Sequence, residues 1–257
     1  MKMTYAFQSA KRPNGRPPKP WEDYIALGEN ACVVADGVTQ NLNEYSEGMT
    51  ASHASEAARL TAEAILAVVC AAPDPTLAAR RAVKDAIAAT AAYNAAHVCP
   101  FPAAAVFVSG TLRGDTLHFA YVGDSVITLL REGVRIRLSE PQTAHLRVMG
   151  STSGMGITKR QLYDTITNNA QSPLGYGVID GDERALDFLR AARLALRAGD
   201  RVIFSSDGID RYLSLAPIGE LARLSAEELL DRSEPFDRPP YNSYADDKAV
   251  VVLDVNG

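Results

Sequence analysis

Four aspartates stand at the ends of apolar runs that are typical of β-strands, and they are Asp36, Asp124, Asp207 and Asp246. An aspartate at the end of a buried strand gives up part of the hydration of its charge. This costs several kcal/mol unless a cation or hydrogen-bond donors compensate. The recurrence of this arrangement in one chain predicts a site that binds metal.

Glycine accompanies three of these aspartates, directly after Asp36 and Asp207 and directly before Asp124. Glycine permits a positive φ angle or the close approach of a bound group. Oxygen ligands with no Cys or His nearby suit hard cations such as Mg²⁺ or Mn²⁺. Each Asp-Gly pair could instead be a simple turn, but its recurrence at strand ends favours the metal site.

The composition describes a globular protein that does not bind nucleic acid. The chain has 257 residues, 47% of them hydrophobic and 22% charged, and its net charge is −5. Nucleic-acid surfaces need clustered Lys and Arg, and the one basic cluster is Lys11–Lys19.

The scattered Cys32, Cys70 and Cys99 favour neither a disulfide framework nor a zinc site. We expect a cytoplasmic protein with no export signal and no membrane anchor.

The first half of the chain predicts an irregular lead-in, a hairpin and two helices. Residues 1–20 contain four prolines, which predict an irregular segment. A hairpin is expected over 24–27 and 31–35. Alanine-rich stretches with helical spacing of larger apolar residues predict helices over about 49–72 and 76–98.

The second half predicts strands, a flap and a last helix. Val106–Leu112, Thr116–Val122 and Val126–Leu130 predict an antiparallel meander. Residues 139–182 lose periodicity, which predicts a flap over the site. The remaining expectations are an ordered segment over Ala185–Leu196, strands over Arg201–Ser205 and Lys248–Val255, and a helical region over about 215–231. The whole chain, 1–257, is expected to form one domain of two packed sheets with helices outside.

Five short motifs, taken in their order, resemble the protein phosphatase 2C family of metal-dependent serine/threonine phosphatases. They are Glu22-Asp23, Ala35-Asp36-Gly37, Val122-Gly123-Asp124-Ser125, Ser206-Asp207-Gly208, and Asp246-Asp247 before a valine-rich strand. Each motif alone is weak, whereas their order and spacing are specific. The chain looks like a bacterial-type, single-domain member.

The resemblance implies an α+β fold, a four-layer α-β-β-α sandwich of two antiparallel sheets flanked by helices. It also implies two Mn²⁺ or Mg²⁺ ions at one end. The catalytic set would be Asp36, which bridges both ions, with Asp207 and Asp246, which ligate one ion. Gly37 would offer its backbone carbonyl oxygen. Two divalent ions about 3.5 to 4 Å apart can activate a bridging water for in-line attack on a phosphoryl group.

Other acidic residues would complete the metal centre by the same resemblance. Glu22 and Asp23 would act at its edge, directly or through waters, and Asp124 would help to hold a weaker third ion. Asp246 is preferred as the ligand, with Asp247 as the alternative. No cysteine or serine nucleophile is required.

The chain also departs from the family pattern. Pro18 stands where the family has a phosphate-clamping arginine, so Lys19 or Arg16 is expected to bind the phosphate instead. Arg211 stands where the family has an aspartate that serves the third metal, and Asp210 lies one residue earlier.

The histidines are a further departure. The family commonly has a histidine beyond the first Asp-Gly, where this chain has Val38-Thr39. The four histidines of the sequence are expected to be structural or exposed; they are His53, His97, His118 and His145.

The resemblance implies an enzyme that hydrolyses phosphoserine and phosphothreonine in proteins, with a phosphorylated protein as substrate and a cognate serine/threonine kinase as partner. We expect a monomer. The alternative is a catalytically idle phosphatase-like module that binds a phosphoprotein or regulatory partner. A structural cation-binding protein fits less well, because no EF-hand spacing is present. Small phosphorylated molecules stay open as substrates.

Overall fold

The computed structural model describes residues 2–8, 20–39, 51–148, 159–241 and 246–255, and the strands of this part form two five-stranded antiparallel sheets. The strands are β1 Lys2–Gln8, β2 Tyr24–Gly28, β3 Ala31–Gly37, β4 Ala105–Arg113, β5 Thr116–Val122, β6 Val126–Arg131, β7 Val134–Arg137, β8 Arg190–Ala195, β9 Arg201–Ser205 and β10 Lys248–Asp254. One sheet has the order β1-β10-β9-β6-β7, and the other has the order β2-β3-β4-β5-β8.

Two long helices and several short ones accompany the sheets. They are α1 His53–Ala71, α2 Pro75–Ala96, α3 Ala144–Val148, α4 Lys159–Ile166, α5 Asp210–Leu215, α6 Ile218–Leu221 and α7 Ala226–Ser233. Single 3₁₀ turns cover Glu183–Asp187, Asp207–Ile209 and Glu234–Asp237. Among the described helices, none is long and apolar enough to cross a membrane.

Strand β3 shows how the layers are built, because its residues are buried on both faces of the sheet. Val33 packs in a core that the sheet shares with α1 and α2. Its neighbour Val34 packs in a second core, between the two sheets. A third core joins Ile203 and Val250 of the other sheet to helices α5 and α7. The order of layers is therefore α-β-β-α, which confirms the predicted sandwich.

Local sequence signals fix where the two long helices begin. Ser52 caps α1 in a reciprocal capping box with Ser55. Asp74 caps α2, and Pro75 occupies its first turn, where proline lacks no needed hydrogen bond. The predicted helices at about 49–72 and 76–98 are confirmed, with bounds shorter by a few residues at α1's start and α2's end.

The predicted meander is correct for β4 and β5 and wrong for the third strand. Strand β6 does not pair with β5; it pairs with β7 and β9 in the other sheet. The chain changes sheets at Gly123, whose φ is +94°. A Cβ at this position would lie 2.2 Å from Cγ1 of Val106, so only glycine fits this corner.

The predicted irregular lead-in over residues 1–20 is wrong for β1, which pairs along its whole length with β10. The four prolines all follow this strand, and residues 9–19 lie outside the described part of the chain. The helical region predicted over 215–231 consists of α6 and α7 with a break between them. In the ordered segment Ala185–Leu196, a 3₁₀ turn is followed by β8.

Candidate metal centre

The predicted metal ligands come together because the ends of six strands lie at one end of the sandwich. In one sheet, Ser205 at the end of β9 pairs both with Val250 of β10 and with Val126 at the start of β6. In the other sheet, Asp36 at the end of β3 pairs with Val106 at the start of β4. Because β5 runs antiparallel to β4, it also ends here, just before Asp124.

The carboxyl group of Asp36 is the electrostatic centre of this cluster. Its pKa is raised well above the usual range, first by burial and then by nearby negative charges. Those charges belong to Asp23, Asp207, Asp246 and Asp124. Like charges and a low-dielectric setting both disfavour the ionised carboxylate. The predicted acidic residues therefore lie close enough to act on one another.

Proximity is a weaker statement than ligation. In the residues that the structure describes, no group of three or more His, Cys, Asp or Glu side chains is arranged to hold a metal ion. Coulombic interaction extends over several ångströms, whereas a ligand oxygen must lie at about 2.0–2.1 Å from Mg²⁺. The assignment of metal ligands therefore stays a prediction.

Glu22 is fully buried and bound on both carboxylate oxygens. Its Oε1 accepts a 2.7 Å hydrogen bond from Ser52, the N-cap of α1. Its Oε2 accepts a hydrogen bond from the hydroxyl of Thr39. Its backbone N–H donates to Oδ2 of Asp247 at 3.0 Å. Glu22 thus connects the start of α1 to the segment after β3.

Asp23, the second residue of the acidic pair, raises the pKa of Asp36. Asp23 is buried, and its charge is the largest electrostatic contribution to the raised pKa of Asp36 after burial. The two members of the predicted pair therefore differ: the Glu22 carboxylate binds two hydroxyl groups, and the Asp23 carboxylate lies near the centre.

The glycine after Asp36 is required by close packing. A Cβ at Gly37 would lie 2.6 Å from the carbonyl oxygen of Ala54 and 2.7 Å from that of Glu22. The N–H of Gly37 donates to the same Glu22 oxygen at 3.1 Å. No larger residue fits between α1 and the segment that precedes β2.

The adjacent aspartates before β10 also have different environments. Asp247 is buried and holds the backbone of Glu22. Asp246 is partly exposed, and its charge raises the pKa of Asp36. Gly208 is packed against this segment, since a Cβ there would lie 2.0 Å from the carbonyl oxygen of Asp247. This arrangement favours Asp246 over Asp247 as the ligand.

Asp210, three residues after Asp207, binds an arginine side chain. Asp210 is buried and forms a 2.9 Å ion pair with Arg137 of β7. Arg211, at the position where the resemblance expects a third-metal aspartate, is exposed.

The predicted phosphate-binding residues Lys19 and Arg16, together with Pro18, lie outside the described residues.

Two of the four histidines lie beside the hydroxyl group of another side chain. His118 is buried beside Thr76, at 2.8 Å from its hydroxyl. His53 lies 2.7 Å from the Tyr93 hydroxyl, and burial lowers the pKa of His53.

The remaining two histidines differ in exposure. His97 is exposed and stacks on Tyr93 with ring centroids 4.1 Å apart. The Nε2 atom of His145 in α3 is buried without a hydrogen-bond partner.

The described part of the predicted flap is held by polar residues that the sequence did not single out. Asp180 accepts hydrogen bonds from the Tyr163 hydroxyl and, at 2.9 Å, from Asn168. Burial raises the pKa of Asp180. Asn168 also has a positive φ of 52°, which asparagine tolerates better than most residues. No periodic pattern marks such residues in a long irregular segment.

Comparison with solved structures supports the description of the fold. The Mycobacterium tuberculosis serine/threonine phosphatase PstP matches with a TM-score of 0.65 and 22% identity, covering 99% of each chain. A structure of the catalytic domain of PstP in complex with two manganese ions matches with 21% identity, a TM-score of 0.65 and 99% coverage of each chain.

A third structure, the serine/threonine phosphatase Stp1 from Staphylococcus aureus, matches with a TM-score of 0.67 and 14% identity, over 100% of this chain and 95% of that chain. The sequence matches no protein-family model and no curated protein significantly. At these identities the likeness establishes the fold.

Proposed function

We propose that this chain, which has the protein phosphatase 2C fold, is a metal-dependent phosphatase that acts on phosphoserine and phosphothreonine in proteins. The observation that carries the proposal is geometric: Asp36 ends β3 at the end of the sandwich where β9 leads to Asp207 and Asp246 leads into β10. Burial and the charges of four other aspartates raise the pKa of Asp36, which supports their proximity. Burying several carboxylates close together is unfavourable, and a bound cation would offset their repulsion. The serine/threonine phosphatases among the solved structures with this fold support the reaction class.

The chemistry of the donor set fits Mn²⁺ or Mg²⁺. The side chains that act on Asp36 offer carboxylate oxygens alone, and hard divalent cations prefer such ligands. Asp36, Asp207 and Asp246 would hold two ions, with the carbonyl oxygen of Gly37. Asp23 and Glu22 would act at the edge, and Asp124 would hold a third ion.

The chain's own residues provide a fixed frame for this chemistry. Divalent ions, when bound, supply an activated water and neutralise charge on the phosphoryl group. Asp247 fixes the backbone of Glu22, and Glu22 in turn fixes the start of α1. Electrostatic catalysis depends on groups that are already in place before the reaction, and this network supplies that rigidity.

The proposal is tested by hydrolysis of p-nitrophenyl phosphate and of a phosphothreonine peptide, each with Mn²⁺, with Mg²⁺ and with EDTA. We expect turnover with a divalent metal and none with EDTA. Asp207→Asn should reduce turnover by at least about 100-fold, the scale of removing one preorganised electrostatic group. Asp187→Asn, an exposed aspartate outside the site, is the matched control and should keep full activity.

Two results would contradict the proposal. Full activity in Asp207→Asn would show that the acidic cluster does not carry the reaction. Bound metal without hydrolysis by the wild type would favour the phosphatase-like binding module instead.

The substrate, partner and setting belong to the same proposal. A phosphorylated protein substrate and a cognate serine/threonine kinase would follow from the reaction class. The cytoplasmic location rests on the scattered cysteines, and the monomeric state is an expectation of the same proposal. Turnover of the phosphothreonine peptide over small phosphorylated molecules would support the protein substrate.

A further inference from the structure

Gln142 and Thr143 form a polar bridge beside Asp124 that neither the sequence pattern nor the proposed function explains. The backbone N–H of Gln142 donates to the carbonyl oxygen of Gly123 at 3.1 Å. The side-chain Oε1 of Gln142 accepts from the N–H of Gly123 at 3.0 Å. The hydroxyl of Thr143 donates to Oδ2 of Asp124 at 2.6 Å. Both polar groups of the Gly123 backbone and one oxygen of the next side chain are therefore bound by two consecutive residues.

The same side chain reaches two further segments. Oε1 of Gln142 also accepts from the N–H of Gly177 at 3.2 Å. Its Nε2 donates to the carbonyl oxygen of Phe188 at 2.7 Å. Gly177 comes this close because it has no side chain, since a Cβ there would lie 2.5 Å from the Cβ of Phe188. One amide thus joins the turn that carries Asp124 to the segment 166–180 and to the approach of β8.

The segment 166–180 is itself held at several points. Asn168 donates its N–H to the carbonyl oxygen of Tyr176 at 2.8 Å and accepts from the N–H of Val178 at 2.9 Å. Its side chain also donates to Asp180 at 2.9 Å. A displacement of this segment would therefore be transmitted to Gly177, and through Gln142 to Gly123.

We propose that Gln142 and Thr143 are positioning residues that hold Asp124 toward the carboxylate cluster and link its position to the segment 166–180. The proposal rests on the proposed function, since Asp124 is there the expected ligand of the weakest metal ion. Groups that orient a ligand by hydrogen bonding commonly affect metal affinity by 10- to 100-fold when removed. Thr143 would orient the carboxylate, and Gln142 would orient the backbone that carries it.

The first test compares Thr143→Val with Thr143→Ser by calorimetric titration with Mn²⁺. Valine keeps the shape of threonine and removes the hydroxyl, whereas serine keeps the hydroxyl. We expect Thr143→Val to weaken the weakest Mn²⁺ binding step by roughly 10-fold or more. Thr143→Ser should bind Mn²⁺ at this step as tightly as the wild type.

The control is Thr116→Val, which removes a similar hydroxyl bond to a carboxylate. Thr116 donates to Asp115 at 3.2 Å in the hairpin between β4 and β5, at the other end of β5 from Asp124. Its Mn²⁺ binding should equal that of the wild type. Wild-type affinity in Thr143→Val, or an equal loss in the serine and valine variants, would overturn the role of Thr143.

The second test addresses Gln142 with Gln142→Met, which keeps the length of the side chain and removes its amide. Hydrogen exchange of the backbone amides of Gly123 and Gly177 should become at least about 10-fold faster, because each loses the acceptor seen in the structure. The weakest Mn²⁺ step should weaken as it does in Thr143→Val. Unchanged exchange at both amides would overturn the role of Gln142.

The outcomes separate this proposal from the proposed function. A wild type that binds Mn²⁺ but hydrolyses no phosphoester contradicts the proposed function, and the calorimetric comparison still decides the role of Thr143. A wild type that hydrolyses phosphoesters, with Thr143→Val equal to it in Mn²⁺ affinity, contradicts this proposal alone. A wild type that binds no Mn²⁺ would overturn both.

Discussion

At the scale of single residues, Asp36 combines a cost in stability with a functional use. Burial, and then the charges of four nearby aspartates, raise the pKa of its carboxyl group. In the metal-free protein this repulsion opposes folding, because the unfolded chain separates the charges. The site is therefore expected to trade stability for the ability to bind cations.

The substitution Asp36→Asn tests this trade. It removes one of the interacting charges and keeps the shape of the side chain. In EDTA we expect the thermal midpoint to rise, by about 2–4 °C for each kcal/mol of repulsion that is removed. With Mn²⁺ we expect the variant to lose both activity and the stabilisation that the metal gives to the wild type.

Thermal unfolding with EDTA and with Mn²⁺, measured beside Asp187→Asn, separates the two effects. A lower midpoint of Asp36→Asn in EDTA would show that Asp36 stabilises the metal-free protein, which would contradict the expected charge repulsion.

The acidic cluster was predictable from the sequence because each member has a local signature. Asp36 and Asp207 precede glycines at the ends of apolar runs, and packing explains those glycines: Gly37 lies against Ala54 and Gly208 lies against Asp247. Gln142 and Thr143 have no such signature. Their partners are 19 or more residues away along the chain, so their role depends on tertiary structure alone.

At the scale of secondary-structure elements, the end of the sandwich away from the site is held by an ion pair between the partly exposed Arg131 and the buried Asp200. Arg131 at the end of β6 donates two hydrogen bonds to Asp200, at 2.9 and 2.6 Å. The N–H of Arg197 also donates to Asp200 at 2.7 Å, and the carbonyl oxygen of Asp200 accepts from Val255 after β10. The pair therefore connects β6, the turn before β9 and the end of β10.

The hydrogen bonds from Arg131 lower the pKa of Asp200 below its usual value. A carboxylate whose pKa is lower in the folded state contributes stability above the unfolded pKa, about 3.9, and loses that contribution as the pH falls through the folded pKa. We therefore expect Asp200→Asn to reduce the free energy of unfolding at pH 7 by about 2 kcal/mol. This is less than for fully buried pairs, because Arg131 is partly exposed.

Urea unfolding of the metal-free protein at pH 7 and below pH 4 measures this effect. The difference between the wild type and Asp200→Asn should shrink at the lower pH. Asp164→Asn, which removes an exposed pair with Arg160, should change stability by less than about 0.5 kcal/mol. A difference that stays constant with pH would contradict the role given to the Asp200 charge.

The sequence predicted the elements with strong periodicity and missed those that depend on long-range pairing. The positions of α1 and α2 followed from the helical spacing of their larger apolar residues. Strand β1 was missed because each of its residues pairs with a residue of β10 that lies 240 or more positions away along the chain. The assignment of β6 to the wrong sheet came from the short turn after β5, since a short turn usually joins paired strands.

At the scale of the whole molecule, the two sheets bring together acidic residues that are far apart in sequence. Asp36 ends a strand of one sheet, Asp207 and Asp246 adjoin the other, and Asp124 lies in the turn that joins β5 of the first sheet to β6 of the second. Neither sheet alone carries the full cluster. In the proposed function, this shared end of the two sheets would hold the metal ions that activate water for phosphoester hydrolysis.

The decisive measurement is the initial rate of phosphate release from a phosphothreonine peptide as a function of Mn²⁺ concentration, for the wild type and for Asp207→Asn. We expect the wild-type rate to rise from zero in EDTA to saturation, and the variant to stay at least about 100-fold slower at every concentration. A wild-type rate that is independent of Mn²⁺ and Mg²⁺, or a variant as fast as the wild type, would rule out a metal-dependent reaction at the acidic cluster.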